Sequence, residues 1–92
     1  MKIRVTLQDL KGQMHPEHDF WTDLDELPMV GDLIVKYAPE ENEKTYEQWY
    51  PDLQLFGANE AFKVVLRGWG IFPEDGGEIV NPFIVVRNMD NN

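Results

Sequence analysis

The chain has no cysteine and no serine among its 92 residues. Without cysteine there is no disulfide, no thiolate zinc site and no thiol nucleophile, and the chain suits a reducing compartment. Without serine no Ser–His–Asp triad or serine nucleophile elbow can be assembled. Together the two absences argue against covalent hydrolytic catalysis, so the chain reads as a protein that is not an enzyme and needs no cofactor. Long apolar runs are missing too. Nothing approaches the roughly 18 residues of a membrane-spanning helix. The start, Met1-Lys2-Ile3-Arg4-Val5-Thr6, alternates like a strand and lacks the apolar stretch of a signal peptide. The expected compartment is the cytoplasm.

Positive charge is scarce. Eight Lys and Arg stand against 17 Asp and Glu, a net charge of −9. From Asp9 to Glu60 there are thirteen acids and three lysines, a local charge of −10. Such a surface repels phosphate backbones, so direct nucleic-acid binding is not expected. It attracts basic protein surfaces instead.

What is present reads as one β-rich domain over 1–92. Residues 2–8 alternate, with Ile3, Val5 and Leu7 facing one way and Arg4, Thr6 and Gln8 the other, the pattern of a half-buried strand. A short return strand is expected around 18–22, in Asp19-Phe20-Trp21-Thr22, and a third strand over 33–37 after a turn at Gly31. The strongest local signal comes last. Two β-rich runs, 62–72 and 79–86, flank Asp75-Gly76-Gly77, a turn chemistry that supplies positive φ at low steric cost. The expected hairpin puts Ile3, Val5, Val64, Leu66 and Ile84 or Val85 in one core. Pro28 and Pro82 are expected at strand edges, where a missing N–H is tolerated.

The first strand, the aromatic-acidic return, Leu27-Pro28-Met29-Val30-Gly31-Asp32, the strand after it and the C-terminal hairpin carry a resemblance. Residues 1–37 and 61–87 resemble small proteins of phages and other mobile elements that fold as SH3-like or related antiparallel β-barrels. The resemblance implies a small antiparallel barrel of about five strands. It also implies a genomic setting in a phage or other mobile element, the setting of anti-CRISPR and other anti-defence proteins, and it implies no activity.

Residues 38–60 read as an insertion, one short helix or an ordered loop. Pro39 suits a first helical position, Glu40, Glu41 and Glu43 favour the positive end of the helix dipole, and Pro51 limits the helix to about 40–49. Tyr46, Trp49, Tyr50 and Leu53 fall at helical spacing. That stripe either packs onto the barrel or is presented to a partner.

Three functional readings follow. The first is an acidic inhibitor that covers a basic, nucleic-acid-binding surface of a host protein. Asp19, Asp23, Asp25, Glu26, Glu40, Glu41, Glu43 and Glu47 supply the charge, and Trp49 and Tyr50 the apolar anchors. The second is a nucleotide-binding sponge in which Trp21 and Trp69 stack a base while Arg67 and Arg87 hold phosphates. The third is a virion assembly component. Gly68-Trp69-Gly70 marks either a bulge with a packed Trp69 or the stacking platform of the second reading. His15-Pro16-Glu17-His18-Asp19 offers metal-ligand types, but its spacing and Pro16 favour a polar loop, and no metal is assigned. Asp23-Leu24-Asp25-Glu26 has no apolar pocket to raise a carboxyl pKa, so acid–base catalysis is not expected there.

Overall fold

In a computed structural model that describes residues 1–37 and 43–91, the chain is mainly β. Five strands, β1 (Lys2–Gln8), β2 (Phe20–Asp23), β3 (Leu33–Val35), β4 (Ala61–Glu74) and β5 (Gly77–Asn88), form one sheet in the order β2-β1-β5-β4-β3. Two short helices, α1 (Glu43–Trp49) and α2 (Leu53–Phe56), fall within the expected insertion. Residues 38–42, including Pro39, Glu40 and Glu41 of the expected helix, lie outside the described residues.

The hairpin follows its turn chemistry. Glu74 pairs with Gly77, leaving Asp75-Gly76 as the two-residue loop, and Gly76 has φ +84°. Asp75 keeps a negative φ, and glycine is favoured at the second loop position because it reaches positive φ at no steric cost. β1–β2, β3–β4 and β4–β5 pair antiparallel as expected, whereas β1–β5 is parallel. The sheet is therefore mixed, and it curls into an open half-barrel. Almost the whole chain lies between β1 and β5, so no hairpin dictates their direction.

The core lies on one face of the sheet, under the helices. Ile3, Val5 and Leu7 of β1, Phe20, Phe62, Val64, Ile84 and Val86 pack with Trp49, Tyr50 and Phe56. Period-two alternation predicts most of this set, but Leu66 is 47% exposed. The cause is a register shift between Val64 and Leu66, which inverts the facing of every later β4 residue. The irregularity thus falls at Val65, ahead of Gly68 and Gly70. Pro82 is also not at an edge. It sits in central β5, one residue before the first β1–β5 pair, Arg4↔Phe83, where β1 pairing has not begun.

β2 and β3 occupy opposite edges, so residues 24–32 must cross from one to the other. Leu24 and Leu27 pack against the core along this crossing, and Gly31 and Asp32 bond to Val64 through backbone groups before β3 begins.

Candidate functional site

The hairpin runs on past the core as an arm. At about 3.3 Å per residue the fourteen residues of β4 reach roughly 40 Å. On the core-side face of the arm the cross-strand pairs, from base to tip, are Arg67↔Ile84, Trp69↔Pro82, Ile71↔Val80 and Pro73↔Glu78. Ile84 and Pro82 are buried at the base. Trp69, Ile71 and Val80 are 63, 67 and 60% exposed. Glu74, Asp75 and Glu78 make the tip acidic, and all three are exposed. At the base the crossing segment brings exposed Asp25 and Glu26, and Arg67 Nη1 donates to the Pro28 carbonyl at 3.5 Å. Met29 and Val30 are exposed beside it. The result is an apolar stripe with carboxylates at both ends.

The other face of the sheet holds a different site. Trp21 lies opposite Arg4 in the β1–β2 ladder. Lys2 Nζ stands 4.8 Å from the Trp21 ring centre, and the Arg4 guanidinium 5.4 Å from Trp21 and 5.5 Å from Phe72. The Phe72 and Trp21 rings meet edge to face at 5.2 Å. The glycines of the arm make room here. A Cβ on Gly70 would lie 2.7 Å from the Phe72 ring, and one on Gly68 would lie 2.8 Å from the Phe83 ring. Gly68 and Gly70 thus seat aromatic rings, the close approach that a strand glycine permits. Lys2, Arg4, Trp21, Phe72, Pro73, Glu74, Ile79 and Asn81 line a groove of about 390 Å³. Arg4 is held from behind, its Nε donating to Asp19 Oδ2 at 3.1 Å. Asp19 is nine-tenths buried, and its Oδ1 has no hydrogen-bond partner among the described residues.

A third cluster closes the loop after β1. His15 Nε2 meets Asp9 Oδ2 at 2.8 Å, and Nδ1 meets Glu17 Oε1 at 2.9 Å. Asp9 Oδ1 accepts from the Lys11 and Gln13 backbone N–H groups. Both ring nitrogens face carboxylates, so the imidazolium is favoured. The hydrogen bond to Asp9, then that to Glu17, raises the His15 pKa above its ordinary 6.5. The bond to His15 lowers the Asp9 pKa. The His15 and His18 rings also stand edge-on to Phe56. This is a clamp on the fold, made of groups that the sequence offers as metal-ligand types. No group of three or more His, Cys, Asp or Glu placed to hold a metal ion occurs among the described residues.

The residues expected at functional sites are distributed differently from expectation. Asp23, Asp25, Glu26 and Glu47 are exposed, Glu43 opens α1, and Glu40 and Glu41 lie outside the described residues. Asp19 is not a surface acid, because it is buried against Arg4. Trp49 and Tyr50 are not surface anchors, because they are buried in the core at 4 and 6% exposure. Trp49 packs on Phe20 and Phe62. Only the middle of the helical stripe faces inward: Trp49 and Tyr50 close the open side of the half-barrel, whereas Tyr46 and Leu53 are exposed.

The four residues of the nucleotide reading do not converge. Trp21 faces the groove, whereas Arg67 and Trp69 lie on the core-side face of the arm. Arg87 pairs with Gln8, four residues along β1 from Arg4 and about 13 Å away. Lys2, Arg4 and Phe72 are the residues that meet Trp21 instead. Strand alternation places Lys2 and Arg4 on the non-core face, but only the β1–β2 register and the curl of the arm bring the aromatics to them. No protein-family model matches the chain, nor does any curated protein or solved structure. No helix among the described residues is long and apolar enough to cross a membrane.

Proposed function

We propose that this protein is a non-enzymatic binding protein that docks on a basic surface of another protein, anchored by the apolar face of its hairpin arm. The observation that carries this reading is the stripe Trp69, Ile71 and Val80, each more than half exposed and side by side on one face. Contiguous apolar surface of this kind is unfavourable in water and marks an interaction site. Trp69, at the base end of the stripe, is of the residue type most enriched among interface hot spots. The carboxylates at both ends of the stripe, with the net charge of −9, select a cationic partner.

A protein surface rich in Lys and Arg is the kind that holds nucleic acid, so occupying it blocks nucleic-acid binding. The proposed function is therefore that of an inhibitor, and the resemblance to small barrel proteins of phages and other mobile elements makes a host defence protein the target we propose. Capture from a bacterial lysate would yield candidate partners. The test is direct binding of each purified candidate, with nucleic acid as competitor. The expected result is binding that nucleic acid competes away and that Trp69→Asp combined with Ile71→Asp abolishes. A folded double variant that binds as tightly as the parent would overturn the reading.

A further inference from the structure

We infer that the groove between Trp21 and Phe72 binds a mononucleotide, a phosphate joined to a planar base, on the face of the sheet opposite the arm's apolar stripe. Three observations converge on this class of ligand.

The first is where the cations stand. In a chain with a net charge of −9, Lys2 and Arg4 share one groove. Asp19 takes the Nε donor of Arg4, and among the described residues no acceptor is bonded to its four terminal N–H groups. A guanidinium anchored through Nε presents its far edge as a fork, which matches two phosphate oxygens. Asp19 is nine-tenths buried, so it fixes Arg4 while lying out of a ligand's reach. Lys2 Nζ has no carboxylate partner among the described residues and supplies a second charge.

The second is the aromatic wall. Trp21 and Phe72 stand edge to face, and Gly70 leaves room for the Phe72 ring. Lys2 rests over the Trp21 ring at 4.8 Å from a strand end where it is exposed. A contact of that kind is weak at an exposed site. A base can replace the ammonium on the indole while the ammonium moves to the phosphate. The third is the polar part of the lining. The Asn81 amide and the Glu74 carboxylate offer a donor and acceptors to the edge of a base. The volume, about 390 Å³, lies at the small end of ligand sites and fits one nucleotide rather than an oligonucleotide.

The test is calorimetric titration of the whole chain with AMP, GMP, CMP and UMP, and separately with adenosine and with inorganic phosphate. At least one mononucleotide should bind one to one, with adenosine and phosphate each weaker by about tenfold or more. Trp21→Leu should weaken binding about five- to a hundredfold, the loss of one stacked base. Lys2→Gln, an exposed change at the start of β1 that leaves the fold intact, should weaken it about tenfold. Trp69→Ala, on the other face, should change nothing, so this site and the partner surface fail or stand separately. No binding of any mononucleotide at millimolar concentration overturns the proposal. Phosphate binding as tightly as the nucleotides, or a Lys2→Gln variant that binds like the parent, overturns it equally.

Discussion

His15 Nε2 lies 2.8 Å from Oδ2 of Asp9, a residue only 2% exposed. The pair ties the segment after β1 back onto the end of β1. Asp9 also accepts the backbone N–H groups of Lys11 and Gln13, so one carboxylate organises the whole turn. A buried carboxylate is tolerated only when its oxygens are occupied, and here they are.

The first prediction is the pH dependence of stability. The folded pKa of His15 is raised above 6.5, so its contribution is complete below the unfolded value and is lost as pH rises through the folded one. The folded pKa of Asp9 is lowered below 3.8, so its contribution is complete above that value and is lost as pH falls through the folded one. Both contributions are present between roughly pH 4 and 6.5. Thermal melts should therefore give the parent its highest Tm in that window, with a decline as pH rises above 6.5 through the raised folded value of His15. His15→Gln should flatten the alkaline decline. Equal slopes for parent and variant would mean that His15 is not charged in the fold.

The hairpin, the first strand and the helical insertion were legible because each has a local cause. Asp75-Gly76 specifies its turn, and Ile3, Val5 and Leu7 alternate on their own strand. The parallel pairing of Val5 with Ile84 has no local cause, since nothing near either residue names its partner. Trp49 and Trp69 show the same division at the sites. Trp49 stands between Gln48 and Tyr50 and Trp69 between Gly68 and Gly70, and neither set of neighbours says which ring is buried. The sheet leaves an open side over Phe20 and Phe62 that Trp49 fills, whereas the register shift after Val64 sends Trp69 onto an uncovered face. Neither the open side nor the shifted register is written in a short stretch of sequence.

The second prediction contrasts those two tryptophans. Trp49→Ala removes a core ring and should cost about 3–5 kcal/mol. Trp69→Ala removes an exposed ring whose fold contacts are one cross-strand pairing, and should cost within about 1 kcal/mol. Urea denaturation of both variants checks this, with stability read from the midpoint at constant slope. Similar losses for the two would place Trp69 in the core and remove the arm as an interaction face.

The third prediction concerns the seam between α2 and the end of β5. Asn88 is 2% exposed. Its Nδ2 donates to the Asn59 carbonyl at 2.7 Å, and its Oδ1 accepts from the backbone N–H of Asn59 at 3.1 Å and of Asp90 at 3.0 Å. Gly57 has φ +99°, and a Cβ there would lie 2.8 Å from Asn88 Cγ and Oδ1. Gly57→Ala therefore combines backbone strain with displacement of a buried hydrogen-bonding hub, and should cost about 3 kcal/mol or more. Gly12 is the control. Its φ is +94° with nothing within 4 Å, so Gly12→Ala should cost only the strain, about 1 kcal/mol. Equal costs would show that Asn88 moves aside freely.

The last prediction tests how the arm finds its partner. Two acidic groups flank the apolar stripe, Glu74, Asp75 and Glu78 at the tip and Asp25 and Glu26 at the base, with Asp23 leading into the latter; all are exposed. Exposed carboxylates contribute about 0–1 kcal/mol to stability, so reversing them leaves the fold in place. Their role is long-range attraction, screened beyond a Debye length of about 8 Å near physiological salt. Charge and anchor should therefore separate kinetically. Reversal of Asp23, Asp25 and Glu26, or of Glu74, Asp75 and Glu78, should slow association with the basic partner about tenfold or more at low salt, and by less as salt rises. Trp69→Ala should leave association nearly unchanged and raise the dissociation rate, because a seated ring holds a complex together without guiding the encounter. Surface plasmon resonance across a salt series measures both rates. If both charge-reversed triples associate like the parent at low salt, the carboxylates are only solvated surface. If Trp69→Ala also dissociates like the parent, the arm is not where the partner binds.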